Sequence, residues 1–176
     1  MIKKIAALFL ASFLFFFSTS KSSAIYDPAS VPNNKFGVHI ADPIDLPDAA
    51  NLANSSGGDW GYFTLVIQKG ERNVERWQKV FDTARRLHLI PIVRIATAVS
   101  GNNWEKPNFG EMDGWVSFLN SLNWVVKNRY VIINNEPNHA PEWGGEINPE
   151  EYATYLKIIS EKLKARSEDF FILPAG

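Results

Sequence analysis

Glu136 is the acidic residue of this 176-residue sequence whose position is most suggestive of acid–base chemistry. The segment 130–133 is an apolar, β-branched run, which is typical of a buried strand. Two asparagines, Glu136 and Pro137 follow it directly. Because proline has no N–H to give to a sheet, the strand is expected to stop at or just before Glu136. The pattern indicates either a hydrogen-bonded catalytic carboxylate at a strand end or a solvated exit from the strand.

Other catalytic and metal chemistry is poorly represented. The chain has no cysteine, which excludes thiol catalysis and thiolate metal sites. Its three histidines, His39, His88 and His139, show no metal-ligand spacing, and no serine-nucleophile motif is present. We therefore predict neither a metal nor a cofactor.

Strands and helices alternate along the chain and must position Glu136. Helical periodicity predicts helices over about 48–55, 74–87, 111–127 and 149–166, and a loop rich in Gly, Asn, Trp and Pro covers 97–110. Apolar runs predict the strands, which lie at 36–40, 62–67 and 89–95, from 130 towards Glu136, and from 170.

This alternation predicts an α/β fold with a parallel sheet covered by helices. One possible architecture is an open doubly wound sheet, but the chain has no glycine-rich phosphate turn. The other is a partial (β/α)8 TIM barrel of about four and a half βα units, since a complete barrel takes about 250 residues. We favour the partial barrel, over residues 36–176.

Residues 1–24 are predicted to be a secretory signal peptide. A basic start precedes an apolar run of 13 residues over 5–17, and three small residues end at Ala24, after which cleavage is expected. The run is short for the roughly 20 residues of a membrane-spanning helix, although an uncleaved N-terminal anchor is an alternative. Residues 25–35 form an extended lead-in. We expect a protein that is secreted or held in the cell envelope, without membrane contact after cleavage.

The charge of the remaining chain argues against one class of partner. Without residues 1–24 it keeps 15 basic and 19 acidic side chains, a net charge of −4, and it has no basic stripe. Nucleic acid is therefore not an expected partner. An exported chain without disulfides must be held together by its hydrophobic core.

The motif Asn135-Glu136-Pro137, at the end of the fourth predicted strand, resembles the acid/base motif of the clan A retaining glycoside hydrolases. This large clan of barrel enzymes includes the cellulase-like family 5. The resemblance covers the chain from about Phe36 onwards. It implies hydrolysis of a β-linked polysaccharide or oligosaccharide.

The resemblance also assigns roles to two residues. Glu136 would be the general acid/base, and Asn135 would hydrogen-bond the 2-hydroxyl of the sugar. In the clan, the nucleophile is a second glutamate at the end of strand seven, which the predicted strands do not reach. Glu142 and Glu146 are the nearest acids in sequence and lie on the same side as Glu136. The chain is therefore expected to be an N-terminal fragment that lacks the nucleophile and is inactive alone.

Four more residues are candidates for sugar binding. Arg94 and His39, near the ends of strands three and one, would either line the floor of a sugar site or form structural pairs in the sheet. Trp104 and Trp143 fall in the loops after strands three and four, and would either stack on a sugar ring or pack within the loops.

A second functional class fits the same residues. A non-catalytic carbohydrate-binding or cell-envelope protein would keep the sugar groove without the pair of carboxylates. The oligomeric state is left open by the sequence.

Overall fold

The computed structural model describes residues 34–175, which form an α/β fold around one five-stranded parallel sheet. Four α-helices alternate with the strands in this part of the chain: α1 (Leu46–Ala53), α2 (Val74–Arg86), α3 (Met112–Ser121) and α4 (Pro149–Arg166). The strands of the sheet are β1 (Gly37–His39), β2 (Gly61–Gln68), β3 (Leu89–Ala96), β6 (Arg129–Ile133) and β7 (Phe170–Pro174), and β4 (Val99–Ser100) pairs with β5 (Asn103–Trp104) in a separate antiparallel hairpin.

The predicted signal peptide and most of the predicted lead-in lie outside the described residues. Between residues 34 and 175, none of the helices is both long and apolar enough to span a membrane.

The strand order β1-β2-β3-β6-β7 follows the order of the chain, and every neighbouring pair is parallel. This confirms the predicted α/β class and the parallel sheet. Crossovers between neighbouring parallel strands are almost always right-handed, and this rule puts all the connecting helices on the same face. Within residues 34–175, β1 and β7 each pair on one side only, so the sheet is not closed.

Burial along the strands agrees with a sheet that is covered mainly on one face. In β2, Phe63, Leu65 and Ile67 are buried, whereas the residues that alternate with them from Tyr62 to Gln68 are half-buried. The helices complete the core from the covered side, and the predicted packing of Trp77 and Trp115 there is confirmed, since both rings are buried.

Two predictions about the segment before β6 were wrong. The helix predicted to reach residue 127 ends at Ser121, because Leu122 adopts an extended conformation with ψ of 138°. The apolar residues beyond it are buried in an irregular segment, where Trp124 Nε1 donates a hydrogen bond to the Leu119 carbonyl at 2.9 Å. The predicted loop 97–110 also contains the hairpin of β4 and β5, whose strands are too short to show a period in the sequence.

The hairpin is tied to the connection between β6 and α4. The Gly144 N–H donates to the Trp104 carbonyl at 2.8 Å, and Lys106 forms ion pairs with Glu146 and Glu151. Gly144 has a φ of +68°, and a Cβ at this position would lie 2.7 Å from Cγ of Lys106. Only glycine satisfies both the left-handed backbone and the close approach.

Gly144→Ala is therefore expected to lower the free energy of unfolding by about 1–3 kcal/mol. Urea denaturation followed by circular dichroism measures the change. Gly101 has φ of +63° with open space around its Cβ position, and Gly70 has neither constraint. The expected order of destabilisation is Gly144→Ala, then Gly101→Ala, then Gly70→Ala. A Gly144 variant as stable as the Gly70 variant would contradict the proposed contact.

Candidate active site

A cavity of about 300 Å³ opens at the carboxyl ends of β1, β2, β3 and β6. Residues near the ends of parallel strands meet at one edge of a sheet, where α/β enzymes place their chemistry. Side chains from these strand ends and from the loops that follow them line it: His39, Ile40, Val66, Gln68, Arg94, Thr97, Trp104, Glu105, Asn134, Asn135 and Glu142. Four of the residues predicted for a site are therefore brought together, namely His39, Arg94, Trp104 and Asn135.

Arg94 is held against the chain that leaves β6. It lies opposite Ile132 in the parallel register, and its Nη1 donates a hydrogen bond to Oδ1 of Asn135 at 2.5 Å. No carboxylate within residues 34–175 forms an ion pair with Arg94. Of the two alternatives for this arginine, a structural ion pair is thus not found in the described part of the chain.

The strand that leads to Glu136 ends earlier than predicted, at Ile133. The Asn134 N–H still donates to the Ile95 carbonyl at 3.1 Å, but Asn134 has φ of 64° and Glu136 has φ of 27°. Residues with a Cβ rarely adopt positive φ, and such positions concentrate at functional sites. Two left-handed residues therefore turn the chain sharply out of the sheet.

A β-turn follows at once. The His139 N–H donates to the Glu136 carbonyl at 2.8 Å, which places Pro137 at the second position of the turn, where its fixed φ is favourable. Pro137 is buried. The proline of the motif thus has a structural role in addition to ending the strand.

The carboxylate of Glu136 lies outside the lining of the cavity. Its side chain is 54% exposed, and Oε2 is 3.7 Å from Nδ1 of His139. One carboxylate oxygen each from Glu136 and Glu142 and a ring nitrogen of His139 lie within 4.8 Å of one another. Glu142 does line the cavity, so it connects this cluster with the interior.

Two consecutive turns bring together three residues that are spaced three apart in the sequence, Glu136, His139 and Glu142. This spacing matches no familiar metal-binding motif. Two carboxylates and an imidazole are chemically suited to a divalent cation, but all three are open to solvent or partly so. Sequence reasoning missed this cluster because it depends on the turns rather than on a helix or strand. Gln68, Thr97 and Asn134 were also missed as cavity residues.

Trp104 and Trp143 take different positions. Trp104 is half-buried and lines the cavity. Trp143 is only 1% exposed and packs edge-on against Tyr152, with ring centroids 5.6 Å apart. For Trp143, the structure therefore shows packing within the protein, and its faces are not available to a ligand.

Trp143 helps to fix the start of α4. Its Nε1 donates to Oε2 of Glu151 at 2.9 Å, and Oδ1 of Asn148 accepts from the Glu151 N–H at 3.0 Å as the helix cap. The hydrogen bond from Trp143 is the main reason why the pKa of Glu151 lies below its ordinary value, and the bond from Lys106 adds to it. The pKa of Lys106 is raised, chiefly by its hydrogen bond with Glu146 and then by the one with Glu151.

No protein-family model matches this chain, and no curated protein matches it. The resemblance to the clan A glycoside hydrolases therefore remains a prediction from the sequence.

The left-handed backbone conformation of Glu136 can be tested by comparing glycine and alanine at this position, where the usual greater stability of alanine should be reversed. At φ of 27°, we expect Glu136→Gly to be more stable than Glu136→Ala by about 1 kcal/mol, because only the alanine carries a Cβ. Chemical denaturation of both variants measures the difference. The matched pair at Glu142, in the short helix Ala140–Glu142, should show the opposite order. If alanine is the more stable residue at both positions, the left-handed conformation of Glu136 is refuted.

The lowered pKa of Glu151 predicts a pH dependence of stability. Its contribution is present above the ordinary pKa of 4.5 and is lost as the pH falls through the lowered value in the folded protein. Glu151→Gln should therefore destabilise the protein at pH 7 and do so much less at pH 2–3, as measured by urea unfolding at each pH. Glu150→Gln, at the exposed neighbouring position, provides the control. An equal effect of Glu151→Gln at all pH values would rule out the charged interaction.

Proposed function

We propose that the protein is a retaining glycoside hydrolase of the clan A type, and that residues 36–176 are the N-terminal portion of its (β/α)8 barrel. The sequential order of parallel strands supports this proposal, because a doubly wound sheet requires a reversal of strand order. The partly covered sheet face and the two one-sided edge strands, β1 and β7, are also what a segment of a barrel would present.

The observation that carries the proposal is the convergence of polar side chains at the carboxyl ends of several strands. His39, Arg94 and Asn135 come from three different strands or strand ends and share one cavity with Trp104. Barrel enzymes build their active sites in this way. Together with the motif around Glu136, this arrangement supports a carbohydrate as the ligand, in a secreted or cell-envelope protein.

In this proposal, Asn135 and Glu136 have separate tasks. Because Oδ1 of Asn135 accepts from Arg94, its amide nitrogen is left to donate to the 2-hydroxyl of a sugar. Glu136 protonates the glycosidic oxygen in the first step and activates water in the second. The positive φ of Glu136 sets the direction in which its Cα–Cβ bond leaves the chain.

The nucleophile must come from elsewhere. A retaining mechanism needs a second carboxyl group about 5–5.5 Å from the first, across the sugar. Within the described residues, the carboxylate beside Glu136 belongs to Glu142, which stands on the same loop. We propose that a carboxylate on a further βα unit completes the pair, so the chain on its own does not turn over substrate.

One observation favours a non-catalytic carbohydrate-binding or cell-envelope protein instead. The exposed carboxylate of Glu136 does not line the cavity, whereas the candidate sugar-binding residues Arg94 and Asn135 do. A binding protein needs these contacts and has no need of an acid aimed at the ligand.

The assignment of Glu136 is tested by Glu136→Gln in the full-length protein, assayed on β-glucans, mannans and aryl glycosides. We expect kcat/KM on the polysaccharides to fall by about 10²–10⁴-fold, because the leaving oxygen is no longer protonated, while sugar affinity is retained. Aryl glycosides with a good leaving group need less protonation in the first step. The rate of that step should therefore fall less for them in Glu136→Gln than it does for the polysaccharides.

Glu146→Gln serves as the control, since Glu146 pairs with Lys106 away from the cavity lining. Unchanged turnover in Glu136→Gln would overturn its assignment as the acid/base. Sugar binding without hydrolysis by the unaltered full-length protein would favour the binding-protein alternative.

A further inference from the structure

Two residues of the cavity lining each carry a buried donor that has no hydrogen-bond partner within residues 34–175. The donors are Nδ2 of Asn134 and Nε of Arg94. Asn134 is only 6% exposed, and both residues line the cavity at the end of the sheet. Buried polar atoms in folded proteins are nearly always paired, so donors left free on residues that line a cavity point to an acceptor on a ligand.

The geometry of Arg94 narrows the kind of acceptor. Its Nη1 is engaged by Asn135, which leaves Nε and Nη2, the adjacent pair on the other edge of the guanidinium, without a described hydrogen bond. Two parallel N–H groups at this spacing match the two oxygens of a carboxylate. The free edge of the Arg94 guanidinium therefore favours a planar anion, such as a carboxylate, as the ligand.

The remaining charges limit where that anion can lie. Arg94 is the one lysine or arginine in the cavity lining, and Glu105 is neutralised by its ion pair with Lys69. Glu142 also lines the cavity, and none of the lysines or arginines in the described residues forms an ion pair with it. An anionic ligand must therefore direct its charge towards Arg94 and neutral groups towards Glu142.

We propose that the cavity binds an acidic sugar of the hexuronic acid class, with its carboxylate on Arg94 and its hydroxyls towards Glu142. A hexuronate carries a single carboxylate at one end of a ring that otherwise bears hydroxyls, which matches this distribution. The volume of about 300 Å³ is at the small end of the usual range for ligand sites and suits a single sugar unit. This inference rests on the proposed carbohydrate function and names the class of sugar.

The test compares methyl β-D-glucuronide with methyl β-D-glucoside by isothermal titration calorimetry on the purified protein. The two probes differ at C6 alone, in a carboxylate or a hydroxymethyl group. We expect the glucuronide to bind at least about tenfold more tightly at pH 7, and this preference to shrink as salt is added. The comparison uses the unaltered protein, so it does not depend on how well any variant folds.

Variants of Arg94 then test whether this residue is responsible for the tighter binding of the glucuronide. Arg94→Gln should remove the preference, while Arg94→Lys, which keeps the charge but lacks the paired N–H groups, should retain only part of it. Arg86→Gln, at an exposed position on α2, is the control and should leave both affinities unchanged. Thermal unfolding confirms that each variant is folded before its affinities are compared.

The outcomes separate this inference from the proposed function. Equal affinity for the two probes, or tighter binding of the glucoside, overturns the acidic-sugar inference and leaves carbohydrate binding in place. Binding of neither probe overturns both. A glucuronide preference that survives in Arg94→Gln overturns the assignment of the carboxylate to Arg94.

Discussion

The parallel pairing of β3 with β6 is the constraint on which the candidate site depends. It sets Arg94 opposite Ile132, and its last contact, from the Asn134 N–H to the Ile95 carbonyl, fixes the point at which the chain leaves the sheet. The left-handed conformation of Asn134 then brings Asn135 to the guanidinium of Arg94. A slip of one residue in this pairing would turn Arg94 to the opposite face of the sheet and dismantle the cavity floor.

The parts of the fold that follow from local patterns were predictable. The β-branched runs of β2 and β3 and the helical periodicity of α4 are visible in the sequence and occur where they were expected. The early end of α3 was not predictable, because the residues after Ser121 are apolar and buried without being helical. Tertiary packing decides the conformation there, and it leaves no period in the sequence.

The site shows the same division. Arg94 and Asn135 were each proposed as sugar-binding residues, and the structure places them in contact because the carboxyl ends of neighbouring parallel strands share an edge. The orientation of the Glu136 carboxylate depends on a backbone angle that the sequence does not encode in any simple pattern. The burial of Trp143 and the approach of Glu142 depend likewise on the path of one loop. Residue types and strand ends thus indicated the cavity residues on and next to the strands. The positions of the residues in the loop after β6 could be seen only in the structure.

The sequential strand order also has a consequence for how the protein assembles. Each strand of the sheet pairs with the strand that precedes it along the chain, leaving the hairpin of β4 and β5 aside. Synthesis on the ribosome delivers the N-terminal end first, so every new βα unit meets a partner strand that is already present. The cavity is lined from β1 to the loop after β6, and so its walls would be in place before β7 is added. If the sheet grows by successive addition of strands, the cavity is therefore formed before the sheet of the described residues is complete.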